Sequence, residues 1–161
     1  MPCQRKGGPA AAGPKGLILL KLMMQINIYT DGGARGNPGI AGYGLVIYDN
    51  DSKIIYQESK FLGIKTNNEA EYAGLLAALE WVKDNKENFK ITQINFHSDS
   101  QLVIRQLQGL YKVKAPNLLP LFKQDKEIIQ LIKIPINFKD VRREFNELAD
   151  ELANQAMDRK S

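Results

Sequence analysis

The sequence predicts an α/β domain in which a five-stranded mixed sheet is flanked by helices. Residues 24–62 read as three strands in succession with short connections, an antiparallel meander. From residue 66 onward, helical and strand patterns alternate, the mark of helices packed on a sheet. Two acids, Asp31 and Asp99, fall where strands end, the general place for a site in open sheets with parallel strands.

The first strand is expected over Met24–Thr30, where Met24, Ile26, Ile28 and Thr30 fall on one side. It ends in Asp31, and a glycine-rich loop follows with Asn37-Pro38-Gly39 as its turn signal. Small residues there would let a large polyanion come close. Taken alone, an Asp before Gly is equally at home as a plain turn residue. Ala41–Tyr48 and Lys53–Leu62 are the next strands, separated by the turn cluster Asp49-Asn50-Asp51-Ser52. Thr66 or Asn67 caps a helix whose Tyr72, Leu75, Leu76, Leu79 and Val82 form a core stripe. Glu71, four residues before Leu75, shares the edge of that stripe. A strand over Ile91–Phe96, a helix over Ser100–Leu107 and a helix over Asn117–Ile132 after Pro116 come next. The last strand is expected over Pro135–Val141. A final helix covers Glu144–Met157, with Leu148, Ala149, Leu152, Ala153 and Ala156 inward.

With 161 residues, no internal repeat and no linker, one domain is expected over residues 23–159. Residues 1–22 are rich in Gly, Pro and Ala. They read as a disordered extension or a cloning- or start-site-derived segment, with a helix or extra strand packed on the body as the remaining option for the apolar run from Leu17 to Met24. The apolar run before Met24 is broken by Lys21, is too short to cross a membrane and carries no cleavage pattern, which argues against export. The lone cysteine, Cys3, excludes an internal disulfide and a cysteine metal site, as a reducing compartment would favour. A cytoplasmic monomer without membrane association or an obligate protein partner is expected. The net charge of +4 does not identify a partner: Arg5, Lys6, Lys15 and Lys21 supply all of it, and the remaining 18 basic residues match the 18 acids.

Asp31, Glu71, Asp99 and Asp150 are the chemistry-bearing candidates. If the first and fourth strands are parallel neighbours, Asp31 and Asp99 meet at their carboxyl ends. Acids crowded together repel, and each desolvated charge is costly, so the arrangement makes sense once a divalent cation completes it. An all-oxygen set suits Mg²⁺ or Mn²⁺; the absence of a Cys/His cluster argues against zinc. The single histidine, His97, gives no basis for a nucleophilic triad.

Four motifs carry a resemblance: Tyr-Thr-Asp-Gly-Gly-Ala-Arg-Gly-Asn-Pro-Gly from Tyr29, Thr-Asn-Asn-Glu-Ala-Glu-Tyr from Thr66, Ser-Asp-Ser-Gln from Ser98, and Arg-Glu-Phe-Asn-Glu-Leu-Ala-Asp-Glu-Leu-Ala-Asn from Arg143. From about Met24 to Met157 the chain resembles type 1 ribonuclease H, in the short form that lacks the basic protrusion. The resemblance implies a ribonuclease H-like fold, three antiparallel strands then two parallel. It implies endonucleolytic hydrolysis of the RNA strand of RNA/DNA hybrids, leaving 5′-phosphate and 3′-hydroxyl ends. Asp31, Glu71, Asp99 and Asp150 are then the catalytic set and hold two Mg²⁺ ions, with Mn²⁺ a possible substitute. Asp31 bridges the ions; Asp99 and Glu71 lean to the nucleophile side, Asp150 to the leaving-group side. Gly32, Gly33, Asn37, Thr66, Asn67, Asn68, Gln101 and Asn146 fall at substrate-binding positions. Local sequence leaves capping open for Asn67 and Asn68, and a simple turn role open for Asn37.

Two departures accompany the resemblance. The stretch Gln106–Asn117 has no tryptophan and only Lys112 and Lys114 as cations, so these two and Tyr111 are the candidates to grip substrate; Trp81 reads as structural. The mobile histidine of many relatives is absent from Lys139–Glu144. Arg143 would steady a leaving phosphate but stays charged and cannot relay a proton. His97 reads as structural or solvent-facing, with modulation of the site as the alternative, and Glu144 as a helix-start acid. The competing readings are a catalytically silent duplex binder, and an enzyme of the same class acting on RNA duplex or at a single embedded ribonucleotide. Integrases and resolvases share the architecture, but the motifs from Thr66 and Arg143 point away from them.

Overall fold

Strand β1 (Met24–Gly36) grows from the alternation read in the sequence: Ile26, Ile28 and Thr30 are buried on one face. The computed structural model describes residues 23–161, so the expectations for residues 1–22 lie outside the described residues. β2 (Gly39–Tyr48) and β3 (Ile54–Lys65) follow, then α1 (Asn67–Asn85), β4 (Ile91–Ser98), α2 (Gln101–Leu107), α3 (Leu119–Ile132), β5 (Ile136–Asp140) and α4 (Glu147–Arg159). The sheet order is β3-β2-β1-β4-β5. β1, β2 and β3 pair antiparallel, while β4 runs parallel to β1 and β5 parallel to β4, the mixed sheet expected from the sequence.

The glycine-rich segment departs from its expected form. It is not a loop: β1 runs six residues beyond Thr30, and its pairing with β2 is continuous from Asn27↔Tyr48 to Gly36↔Gly39. The parallel partner is what ends there, since the β1–β4 register closes at Thr30↔Ser98. Asp31 is thus the first residue past the departure of β4, still held by β2 opposite Gly44.

One face of the sheet receives α1 and α2, with α3 packed on α1. Ile26, Ile28, Leu75, Leu79, Ile94, Phe96, Ile104 and Ile132 form its core, each large side chain contributing about 1.5–3 kcal/mol by leaving water. The other face receives α4, which lies across β2 and reaches β1 and β3. Tyr43 packs toward Gly74 of α1, whereas Gly44 faces Ala149 and Leu152 of α4, the alternation expected of a strand covered on both sides. A Cβ on Gly44 would stand 2.7 Å from the Leu152 Cβ. Trp81 stacks on Tyr56 and tilts against Phe89, with ring centroids at 5.5 and 5.4 Å, in its expected structural role.

Two helix starts shift from expectation. α3 begins at Leu119 instead of Asn117, with Pro120 in its first turn and Leu118 as a cap without a side-chain bond. The Asn117 amide instead donates to Glu69 Oε1 at 2.9 Å. α4 is preceded by a 3₁₀ turn over Arg143–Phe145 and begins at Glu147, because Asn146 turns inward between the two. No helix among the described residues is long and apolar enough to cross a membrane.

Candidate active site

Asp31, Glu71 and Asp99 come from three elements and meet at the end of the sheet, each with a carboxylate oxygen within 4.8 Å of the others. Asp31 arrives on β1, where β4 has left the sheet. Asp99 directly follows β4 and precedes Ser100, whose side chain caps α2. Glu71 lies in the second turn of α1 and is only 7% exposed. Asp150, in the first turn of α4, is exposed and reaches Asp31 from the opposite face. All four line one cleft of about 410 Å³, together with Gly32, Gly33, Asn67, Asn68 and Arg143.

Groups that carry no charge of their own secure this convergence. Ser98 Oγ donates to Glu71 Oε2 at 3.4 Å and accepts the Ser100 N–H at 3.1 Å, tying β4, α2 and α1 together. Asn146 Nδ2 donates to the Thr30 carbonyl at 2.9 Å, tying the start of α4 to the residue before Asp31. Gly32 sits directly under α1: a Cβ there would lie 2.5 Å from Ala70 O and Glu71 N. The smallness of Gly32 therefore serves close helix packing, not only approach by a polyanion.

The acids feel one another strongly. Burial first, then the charge of Asp99 and the contact with Asp150, push the Asp31 carboxyl from 3.8 to about 8. Burial and the charges of Asp31 and Asp99 hold Glu71 well above the usual carboxylate range, against the opposing pull of the Gly32 N–H. Asp99 is raised by burial, while the Arg143 guanidinium, 4.0 Å away, works in the other direction. Oxygen donors crowded so that burial and mutual charge disfavour their ionised forms fit a hard divalent cation, which would offset that charge.

The remaining sequence candidates divide. Asn67 and Asn68 line the cleft, and Asn67 also accepts the Ala34 N–H at 2.8 Å, so it both braces the hairpin and faces the opening. Asn37 accepts the Asn67 N–H at 3.0 Å, so the hairpin turn helps cap α1. Thr66 is the N-cap and accepts from the Glu69 N–H. Gln101 opens α2 and lies in a neighbouring depression with Asp99, Asp140 and Arg143, outside the lining of the acid cleft. Asn146 is 2% exposed and does not line the cleft; its side chain holds backbone where the sequence reading expected contact with substrate. Arg143 is exposed beside Asp99. Lys112 and Lys114 are exposed on the α2–α3 connection, away from the acids. His97 is buried, with Nδ1 3.1 Å from the Ile28 carbonyl and its ring stacked on Tyr29 at 4.4 Å; burial lowers its pKa. Sequence reasoning passed over Ser98, Arg35 and Asn154. Arg35 spans the cleft edge to Asp158 at 2.7 Å, and Asn154, four residues after Asp150, bonds back to its carbonyl at 3.1 Å. That i, i+4 spacing was the available signal.

Comparison with known proteins adds independent findings. The family model described as "Reverse transcriptase-like" matches residues 29–156. A bifunctional protein of Mycobacterium tuberculosis is 43% identical over 136 residues, covering 84% of this chain and 36% of its own length. The chain thus spans about a third of the length of that relative. The ribonuclease H of Ruthia magnifica is 32% identical over 156 residues, covering 85% of this chain and 98% of that protein. Among solved structures, LC11-RNase H1 in complex with RNA/DNA hybrid is 41% identical, with a TM-score of 0.78 over 83% of this chain and 97% of that one.

Proposed function

The chain belongs to the type 1 ribonuclease H family, and from that premise we propose that it is a metal-dependent endoribonuclease that hydrolyses the RNA strand of RNA/DNA hybrids, leaving 5′-phosphate and 3′-hydroxyl ends. The observation that carries the reading is the convergence of Asp31, Glu71 and Asp99 within 4.8 Å at the mouth of one cleft, with Asp150 beside them. Asp31, Glu71, Asp99 and Asp150 are the residues that would hold the divalent ions. Mg²⁺ is the expected ion and Mn²⁺ a substitute. When bound, such ions supply an activated water and offset the charge that builds on the phosphate and on the departing 3′-oxygen.

The protein's own groups do the rest. Asn67 and Asn68 present amides at the cleft wall, suited to the minor groove of a hybrid, and the N-terminus of α1 favours a nearby phosphate. Gly33 has no backbone within 4 Å of its Cβ position, so a strand can pass close to it. Arg143, exposed at the cleft edge, places a permanent positive charge where a product phosphate would leave.

The test is cleavage of a strand-labelled hybrid with and without Mg²⁺ or Mn²⁺, set beside RNA duplex and DNA bearing one ribonucleotide. The RNA strand of the uniform hybrid is cut only with metal. Asp31→Asn lowers the rate by roughly a thousandfold or more, the scale for losing a group that stabilises developing charge, while hybrid binding at low salt persists. Cleavage at the wild-type rate in that variant refutes the assignment. Preference for another of the three substrates corrects its substrate.

A further inference from the structure

The α2–α3 connection, residues 108–118, is secured at both ends. At its start, Leu110 and Tyr111 donate backbone N–H groups to the Arg105 carbonyl at 2.9 and 3.2 Å. The Arg105 guanidinium lies 5.6 Å from the Tyr111 ring centre and donates to its hydroxyl at 3.4 Å. At its end, Asn117 Nδ2 donates to Glu69 Oε1 at 2.9 Å, the same oxygen that accepts from Thr66 Oγ1 at 3.2 Å. Between these anchors burial alternates. Val113 and Ala115 pack on the core, while Lys112 and Lys114 are exposed and form no ion pair among the described residues.

We propose that Asn117 is a positioning residue for substrate: through Glu69 it fixes this connection against the start of α1, holding Lys112 and Lys114 as a row beside the nucleic-acid strand that passes Asn67 and Asn68. The inference rests on the hybrid-cleavage reading and adds to it how this chain holds the strand that is not cut. Two residues of extended chain span roughly 7 Å, a step comparable with that between neighbouring phosphates on one strand. Fixing the backbone beforehand removes an ordering cost that would otherwise fall on binding. Glu69 is itself an acid, in the first turn of α1 close after Asn67 and Asn68. Asn117, Thr66 and Lys65, the last 3.9 Å away, surround its carboxylate and offset its repulsion.

The experiment compares wild type, Asn117→Ala, Glu69→Gln and Glu69→Ala by steady-state hybrid cleavage, by amide exchange over residues 111–116 and by melting temperature. Asn117→Ala raises KM about fivefold, the scale of one hydrogen bond, leaves kcat unchanged and speeds exchange in the connection, with little change in melting temperature. Glu69→Gln keeps the acceptor oxygen and stays near wild type; Glu69→Ala reproduces Asn117→Ala. Lys112→Ala and Lys114→Ala cost less in the Asn117→Ala background than alone. An unchanged KM in Asn117→Ala, or additive lysine effects, overturns the inference while the activity reading stands. A wild type that cuts no hybrid with either metal overturns both.

Discussion

Asp125 in α3 offers a quantitative test of the core. It is 1% exposed, and neither carboxylate oxygen has a hydrogen-bond partner. Burial, then the charge of Glu80, raises its carboxyl from 3.8 to about 8. Tyr72, facing it from α1, is no donor to it, because its hydroxyl donates to Gln106 Oε1 at 2.5 Å. The folded protein therefore keeps a proton that the unfolded chain releases above a pH of about 4. The stability tied to that proton is fully present below this pH and is lost as pH rises toward the folded-state value near 8. At about 1.4 kcal/mol per pH unit, the loss between pH ~4 and pH ~7 is at most about 4 kcal/mol, a large share of the roughly 5–15 kcal/mol that holds a domain together. Asp125→Asn keeps the shape and removes the ionisation. It should melt with wild type near pH ~4 and above it near pH ~8, by roughly 10 °C at 2–4 °C per kcal/mol. Thermal unfolding followed by circular dichroism across that range, without divalent metal, is the assay. Asp31 and Glu71 titrate in both proteins, so the difference isolates Asp125. Curves that stay parallel across the range refute the reasoning.

Two further outcomes follow from the site. Because Asp31 is raised to about 8, it holds a proton near neutrality when no ion is bound, and burial beside it raises Glu71 as well. Addition of Mg²⁺ to weakly buffered protein should release protons, and apparent Mg²⁺ affinity should strengthen between pH ~6 and pH ~8; titration calorimetry in buffers of different ionisation enthalpy reads both. Gly32→Ala would drive a Cβ to 2.5 Å from the α1 backbone. It should destabilise the fold by about 1–3 kcal/mol or more and displace Glu71, seen as a lower urea midpoint together with weakened metal binding; wild-type values of both exclude the packing argument.

The strands and the helices were legible because local periodicity carries them: Ile26 and Ile28 on one side of a strand, Leu75 and Leu79 on one side of a helix; the four acids were singled out as a set by the motifs that carry the family resemblance. What was misread depends on partners distant in sequence. Gly32 to Gly36 looks like a loop to any local rule, and only pairing with β2 makes it strand. Asn117 looks like the start of α3, yet its amide is engaged by Glu69, 48 positions earlier. Asn146, expected from its motif to meet substrate, also bonds to the Thr30 carbonyl, 116 positions away, a task that no local rule reveals.

That pattern bears on how a cluster of mutually repelling acids stays assembled without its cation. Burial and charge oppose the convergence of Asp31, Glu71 and Asp99. What opposes their separation is attachment of the backbone around each of them: the Asn146 amide beside Asp31, the packing of α1 on Gly32 beneath Glu71, and the bond from Ser98 to the amide after Asp99. None of these groups is charged, so their contacts neither titrate nor depend on screening, whereas the acids' own interactions vary with pH and ionic strength. Acid positions set by neutral anchors would let protonation follow a bound metal, so that the cleft would exchange protons for cations without remodelling the sheet end that carries it.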